Sequence, residues 1–403
     1  KLSPDEVRRV VAHIWELGTT HFDYFYLTEN CSYHMLSLLE AGAPRLKLLS
    51  KLPRWTLPTD TLKVLFESDL VSETHLRPSL DTQFRTRVGM LSRGEVAELE
   101  TLTRASKTSA QITAPSIKNE KVFDAFIDYV DLLFAQKLLE KETEAVQAKQ
   151  NLLVQRSRLP IAESLDFSKL RLISPHLSHG SSRASIARVR DEDHALTGDA
   201  TELGFRFAFH DLLDPAMGLP DFSEVQFVDF KVRYWEDIKK FRLENFTLIG
   251  VGNYSPVDAF HKDASWKVRF GLKRFSDRRC EPSGHNNDCL GGAVELGYGY
   301  SFQPLNAVLA YALIEGNLDT SAGFLQDKLV PRLGPTLGAR TRFTPSLAAL
   351  LEAKTQTSLV HPSFTEKSLE ARLRWVPKSW GLDLRALWTT DHQELTTSAL
   401  LYF

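Results

Sequence analysis

The feature that most constrains this chain is a change in its hydrophobic period near Ser168. Before that point apolar residues recur at helical spacing, and after it they alternate with polar residues up to the last residue. Because the first period suits helices and the second suits strands, we predict two domains. They are a mainly helical α+β domain, residues 1–165, and an all-β antiparallel domain, residues 166–403.

Three helix signals mark the first domain. Ser3, followed by a proline and two acids, is typical of the N-cap of a helix. A second helix should begin near Cys31 and end at Gly42. Residues 122–156 combine an apolar half with a charged half, which predicts one long helix that reaches from a packed region toward solvent. Residues 106–116 are predicted to be a polar loop, and residues 158–161 the domain boundary.

The alternation in the second domain predicts about twelve amphipathic strands. Leu203, Phe205 and Phe207, for example, alternate with Gly204 and Arg206. The strands are predicted near residues 180–190, 199–210, 223–235, 239–250, 264–275, 290–302, 305–315, 331–343, 345–356, 364–375, 380–390 and 393–403.

Two structures accommodate such strands: a soluble lipocalin-like barrel or sandwich with its apolar face inside, and a membrane barrel with its apolar face in lipid. The strands are about 10–13 residues long, which exceeds the globular average and matches a tilted bilayer crossing. Aromatic residues lie toward strand ends, as in an interfacial girdle. These are Trp235, Tyr300, Phe302, Phe343, Trp375, Trp388 and Tyr402. We therefore predict an antiparallel barrel of about twelve strands, of the outer-membrane type.

The last strand ends with an aromatic residue, Phe403. This ending resembles the C-terminal signature of bacterial outer-membrane barrels, whose terminal phenylalanine is recognised by the assembly machinery. The resemblance implies a location in the bacterial outer membrane. The expected partners are the outer-membrane lipids and, through Phe403, the assembly machinery.

Composition excludes several classes of protein. The 49 Lys and Arg balance 51 Asp and Glu, so a basic nucleic-acid-binding domain is not expected. No apolar run approaches the ~18–20 residues of a membrane-spanning helix. No nucleotide-binding or metal-binding motif occurs, so we expect no cofactor and no metal site. The sequence begins at Lys1, and we expect any export signal to have been removed or to lie outside it.

Cys280 and Cys289 flank a turn-rich loop between two predicted strands. On opposite arms of a hairpin they can form a disulfide, which requires an oxidising compartment. Two free thiols are one alternative. A metal-binding loop that uses His285 and Asp288 is another.

Cys31 stands on the first turn of the predicted second helix. Unpaired backbone N–H groups and the positive end of the helix dipole favour a thiolate there and leave donors for an oxyanion. Cys31 is therefore a candidate nucleophile, with the backbone around Ser32 as the oxyanion site and His34 as the candidate base. The alternatives are a buried structural cysteine and a structural histidine.

The segment from Phe22 to Glu40 resembles the core motif of the Lnb-type N-terminal periplasmic domain family. That family is placed with circularly permuted papain-like (NlpC-like) thiol enzymes, which share an Asn–Cys step at a helix start. The resemblance implies a partial papain-like fold in the periplasm and adds Asn30 to the catalytic candidates Cys31 and His34. It also implies acyl transfer or hydrolysis, with a lipoprotein or lipid as substrate. The family's histidine base precedes the cysteine, and we expect it upstream of Lys1.

Residues 175–183 join the two predicted domains and contain His176 and His179. These histidines could line a site that faces Cys31, or they could belong to a polar junction loop. Two functional hypotheses follow for the whole chain. One is a cysteine acyltransferase or hydrolase, and the other is a non-enzymatic channel or scaffold with a structural Cys31. Because charges of both signs should cross-link the lumen, we expect little conductance.

Overall fold

The computed structural model describes residues 2–68, 70–109, 117–161, 173–193, 197–276, 279–280, 289–360 and 364–403. The chain forms two compact units. One contains Lys1–Ser72 together with Ser174–Phe403, and the other is Glu73–Ile173. The predicted boundary near residue 165 lies outside the described residues. The compact units divide elsewhere, because the first 72 residues cluster with the strands.

Three α-helices precede the strands in the described part of the first unit: α1 (Pro4–Leu17), α2 (Cys31–Gly42) and α3 (Pro58–Glu67). The N-cap at Ser3 is confirmed, because its hydroxyl accepts from the Glu6 backbone and Glu6 accepts from the Ser3 N–H at 2.7 Å. The start of α2 at Cys31 is also confirmed. A Cβ at Gly42 would lie 2.3 Å from the Val10 side chain, so close packing of α1 on α2 requires glycine there.

The second unit contains five helices in its described part: α4 (Leu80–Val88), α5 (Arg93–Ser109), α6 (Glu120–Leu133), α7 (Ala135–Leu139) and α8 (Thr143–Arg156). The single long helix predicted over 122–156 is wrong, since the chain breaks after Leu133 and again at Lys141, where φ is 57°. The break lets α8 fold back, so that Arg156 bonds Asp124 of α6 at 2.6 Å. The predicted loop begins later than residue 106, and residues 110–116 lie outside the described part.

The β portion is a closed antiparallel barrel of twelve strands, each paired with its neighbours in the chain and β1 paired with β12. The strands are β1 (Arg183–Asp193), β2 (Thr197–His210), β3 (Ser223–Trp235), β4 (Lys240–Asn253), β5 (Ser265–Arg274), β6 (Leu290–Leu305), β7 (Val308–Ser321), β8 (Leu329–Thr344), β9 (Leu347–Ser358), β10 (Thr365–Trp375), β11 (Trp380–Thr389) and β12 (His392–Tyr402). The prediction of about twelve strands is confirmed. We call the end where β1 begins and β12 ends the proximal end, and the opposite end the distal end.

The apolar face of the barrel points outward. Phe270 and Leu373 are 40% and 44% exposed, whereas Arg206 and Arg374 inside the barrel are each 1% exposed. A soluble barrel would require the reverse arrangement, because apolar side chains are buried away from water and charges remain in it. The outward apolar surface, called here the lipid belt, excludes the soluble alternative.

The prediction of an interfacial girdle position is wrong for two of the seven aromatic residues. Trp235 and Tyr402 are 3% and 2% exposed and point into the barrel. Inside it, the Trp235 indole donates to Glu244 at 3.0 Å and the Tyr402 hydroxyl donates to Asp214 at 2.6 Å. The reason is the pleat, since side chains on alternate positions face opposite sides of a strand wherever they lie along it. The other five aromatics are exposed on the outer surface.

A disulfide joins Cys280 to Cys289 between β5 and β6, at the distal end, as predicted. Residues 281–288, with His285 and Asp288, lie outside the described part of the chain. None of the described helices has the length and apolar character of a membrane-spanning segment.

The lipid belt generates a stability prediction. Leu337 of β8 is 58% exposed and Leu325 of the β7–β8 loop is 55% exposed, so the same substitution can be compared at matched exposure. We expect Leu337→Arg to lower the free energy of unfolding in lipid vesicles by about 2–4 kcal/mol. Leu325→Arg should cost under about 1 kcal/mol, since it stays outside hydrocarbon. Denaturant titration measures both values, and equal losses would contradict a lipid-facing β8.

Candidate functional site

Cys31 is a free and exposed thiol at the first residue of α2. The loop before it, residues 22–30, carries four exposed aromatic side chains. The alternative of a structural cysteine requires a thiol buried under its helix, whereas Cys31 is exposed. A thiol in this position is accessible to a substrate.

Asn30 is the N-cap of α2 and is 1% exposed. Its side-chain oxygen accepts from the backbone N–H groups of Ser32 and Tyr33, both at 3.2 Å, and from the Ser32 hydroxyl at 2.7 Å. Its amide nitrogen donates to the carbonyl groups of Thr56 at 2.7 Å and Tyr26 at 3.3 Å. Asn30 therefore fixes the orientation of the helix end that carries Cys31.

The predicted oxyanion site overlaps this cap. The Ser32 N–H already donates to Asn30, so an oxyanion beside Cys31 has to share that donor or displace the Asn30 oxygen. The arrangement assigns Asn30 a positioning role toward the first turn of α2.

His34 lies one turn after Cys31 and packs between aromatic rings. Its ring centroid is 4.6 Å from that of Phe22 and 5.6 Å from that of Tyr33. Its Nε2 atom is buried, and no described residue hydrogen-bonds it. Within the described ranges no imidazole hydrogen-bonds the Cys31 sulfur, and His13 instead contacts Glu16 at 3.1 Å.

His176 and His179 contact α3 and the proximal rim of the barrel. The His176 ring stacks on Phe66 with centroids 3.5 Å apart. The His179 carbonyl accepts from Lys63 at 2.6 Å, and its ring lies 5.0 Å from that of Tyr402. Burial lowers the pKa of His179 and of Lys63. The contacts are those of a polar junction that joins α3 to the barrel.

A second junction covers the outer face of β2 and β3 beside the Cys31 loop. Leu27 and Leu57 pack against Phe207, which is 2% exposed, and the Trp55 ring meets Phe207 edge-on with centroids 4.6 Å apart. Sequence reasoning missed this contact. The only local signal is that Phe207 continues the outward apolar row of β2 near the end of the strand, and no local pattern identifies Trp55 as its partner.

The barrel interior holds a charged chamber of about 420 Å³. Ion pairs cross it from strand to strand: Arg233 bonds Glu202 and Glu394, each at 2.7 Å, and Lys354 contacts Glu315 at 3.3 Å. The lumen is therefore cross-linked, as the rows of opposite charges in the sequence predicted.

Residues 211–222, called here the plug loop, cross the proximal end of the lumen from β2 to β8. Asp214 bonds Arg374 at 2.6 Å, and Asp221 bonds Arg340 at 2.7 and 3.0 Å. Burial alone would raise the pKa of Asp214, but Arg206 and Arg374 hold it well below its usual range. A carboxylate whose pKa is depressed by folding stabilises the folded state at every pH above its unfolded pKa of about 3.9. That stabilisation is lost only as the pH falls below this value. Neutral and mildly acidic pH therefore leave the plug loop in place.

No group of three or more His, Cys, Asp or Glu in the described part of the chain could hold a metal ion.

The Asn30 cap generates a second prediction. Asn30→Ala removes the acceptor of Ser32 and Tyr33, and we expect about 1–2 kcal/mol less stability at the start of α2. Hydrogen exchange should show faster exchange at those two amides, with no change in the barrel strands. Asn30→Asp is the matched variant, since it keeps the acceptor but loses the donor to Thr56. Unchanged exchange in Asn30→Ala would contradict the capping role.

The plug loop generates a third prediction. Asp221→Asn weakens the ion pairs with Arg340 and Arg342, so we expect a larger single-channel conductance in planar bilayers than the small conductance of the wild type. Asp263→Asn, in the exposed β4–β5 connection, is the control and should leave conductance unchanged. A wild-type conductance as large as that of Asp221→Asn would show that the plug loop does not obstruct the lumen.

Several solved structures resemble this chain. The KdgM porin has 10% identity over 54% of this chain and 99% of that chain, with a TM-score of 0.33. The NanC porin has 6% identity over 55% of this chain and 100% of that chain, with a TM-score of 0.36. An outer membrane channel from Pseudomonas putida F1 has 10% identity over 60% of this chain and 100% of that chain, with a TM-score of 0.33. No curated protein matches the chain.

Two family descriptions match. Residues 1–68 match the Lnb N-terminal periplasmic domain, and residues 172–403 match the Domain of unknown function (DUF7840). A periplasmic domain followed by a barrel with an outer lipid belt places the protein in the outer membrane, with its proximal end on the periplasmic side. Because the second description covers more than half of the chain, the protein belongs to the family described as Domain of unknown function (DUF7840).

Proposed function

We propose that the protein is an outer-membrane thiol enzyme in which Cys31 accepts an acyl group at the periplasmic face. The observation that carries this proposal is the free, exposed thiol on the first turn of α2, held by the buried Asn30 cap. The substrate class is an ester, thioester or amide of the envelope, such as a lipoprotein or a lipid. The match of residues 1–68 to a periplasmic domain family supports it.

The chemistry would follow that of permuted papain-like thiol enzymes. The Cys31 sulfur attacks the acyl carbonyl, the thiol proton passes to a base, and the leaving group departs with a proton. The product is a thioester on Cys31. Water then hydrolyses this thioester, or an amine attacks it and takes the acyl group, and either reaction releases the Cys31 thiol. His34 is the candidate base, because residues three apart on a helix share a face. In the structure its ring packs against Phe22, with centroids 4.6 Å apart.

The barrel serves as the membrane anchor in this proposal. Its lumen is crossed by ion pairs and its periplasmic end is obstructed by the plug loop. These contacts favour a closed barrel over a solute pathway. The same Phe207 surface that holds Trp55 fixes the Cys31 loop to the anchor.

A non-enzymatic channel or scaffold is the second candidate function. It is favoured by the geometry around Cys31, whose sulfur receives no hydrogen bond from an imidazole within the described residues. The 420 Å³ chamber would be its solute site. The two candidates differ in what they require of the thiol.

Acylation of Cys31 is the fourth prediction. The full chain in nanodiscs, incubated with a phospholipid and with a fatty-acyl thioester, should gain an acyl mass on the peptide that contains Cys31. Neutral hydroxylamine should release that mass, because it cleaves thioesters. His34→Gln should slow acylation by about 10²–10⁴-fold, because it removes the proposed base.

Cys31→Ser is the control and should carry no hydroxylamine-labile acyl group. Absence of any adduct in the wild type, together with iodoacetamide alkylation of Cys31 no faster than that of a model thiol, would favour the scaffold.

A further inference from the structure

We propose that the aromatic side chains around Cys31 insert into the periplasmic leaflet of the outer membrane. The aromatic patch consists of Phe22, Tyr24, Phe25, Tyr26 and Trp55, which are between 44% and 62% exposed. The occupant proposed for this surface is phospholipid. The inference concerns where the patch lies and does not depend on the chemistry of Cys31.

The patch is one surface built from two loops. The Thr56 N–H donates to the Leu27 carbonyl at 2.9 Å, and the Asn30 amide donates to the Thr56 carbonyl at 2.7 Å. These bonds hold Trp55 beside residues 22–26. Exposed aromatic groups gathered in a defined surface mark interaction sites more often than isolated exposed residues do.

The patch is continuous with the lipid belt. Trp55 lies against Phe207, and Tyr26 lies near Phe227 with ring centroids 6.1 Å apart. Phe207 follows Phe205 by two strand residues, or about 7 Å. Phe205 faces outward and has its ring centroid 6.3 Å from that of Phe403, which is 59% exposed at the barrel's end. With Phe205 taken as the edge of the hydrocarbon, a residue about 7 Å further out lies in the headgroup layer, which is about 5–7 Å thick on each side, and this places Trp55 at that depth.

The chemistry of the patch suits this layer. Tyrosine and tryptophan concentrate at membrane interfaces, where the ring contacts lipid and the polar atom stays hydrated. Arg54, exposed beside Trp55, can reach lipid phosphate groups. The one carboxylate within residues 22–26 is Asp23, which is exposed and remains in water at headgroup depth. Interfacial phospholipid therefore fits the patch better than a soluble protein partner.

The consequence concerns access to Cys31. Cys31 follows Tyr26 by five residues and is held by the same Thr56 contacts through Asn30. With the patch in the leaflet, the thiol lies at the membrane surface. A substrate acyl group would then reach it without leaving the bilayer, a point that rests on the proposed function.

Fluorescence quenching of a single label tests the inference. In the Cys31→Ser full chain, Tyr24→Cys carries an environment-sensitive fluorophore, and Ser50→Cys, an exposed site in the short helix Leu49–Lys51, is the matched control. In nanodiscs with brominated phospholipids, we expect the label at residue 24 to be quenched by lipid. Its quenching by aqueous iodide should be about threefold or more weaker than at residue 50.

Two outcomes would overturn the inference. Iodide quenching at residue 24 equal to that at residue 50, with no effect of brominated lipid, would place the patch in water. Protection from both quenchers would show that protein covers it. A failure of Cys31 acylation would leave these readings unchanged, so the two proposals are tested separately.

Discussion

Closure of the backbone hydrogen-bond ladder is the constraint on which the rest of this structure depends. Hydrocarbon offers no partner for an unpaired N–H or C=O group, so a sheet that crosses it has to close on itself. Here the seam lies between β1 and β12, where Arg183 pairs with Tyr402. The Ser182 and Phe403 backbones then exchange two hydrogen bonds, at 2.9 and 3.0 Å. The terminal residue is thus bonded into the seam. Gly180 beside it has no room for a side chain, because a Cβ would lie 2.2 Å from the Phe403 nitrogen.

Once the sheet closes, the pleat directs the side chains of each strand alternately outward to lipid and inward to the lumen. Charges on inward positions then have to neutralise one another, because they have left bulk water. The plug loop extends this rule beyond the strands. Asp211 and Asp214 meet the inward arginines of β1, β2 and β10, and Asp221 meets those of β8. Removing one member of such a cluster costs about 3–5 kcal/mol because it leaves a buried charge unpaired, whereas replacing the whole cluster with well-packed apolar residues is often neutral.

The extent to which the sequence predicts this molecule follows from how local each signal is. Strand positions come from alternation over about ten residues, and all twelve were predicted. The predicted outward orientation of Trp235 is wrong because the prediction used only its position at a strand end. Trp235 lies two residues after Arg233, so both side chains point into the barrel. The fold-back of α8 and the Asp221–Arg340 pair join residues far apart in the chain, and no local pattern reports them. For the candidate site, the helix start at Cys31 was predictable, whereas the Asn30–Thr56 bond and the Trp55–Phe207 contact were not.

The same reasoning explains why the first 72 residues belong with the barrel. The outward row of β2 extends beyond Phe205 to Phe207, near the periplasmic end of the strand. Left bare, this aromatic side chain would face water, and covering it recovers about 1.5–3 kcal/mol of transfer free energy. Leu57 and Trp55 supply that cover, while Ser181 bonds Asp60 at 3.1 Å in the adjoining junction. The segment that carries Cys31 is therefore part of the barrel's own packing, and the proposed place of the thiol at the membrane edge rests on the contacts that complete the barrel surface.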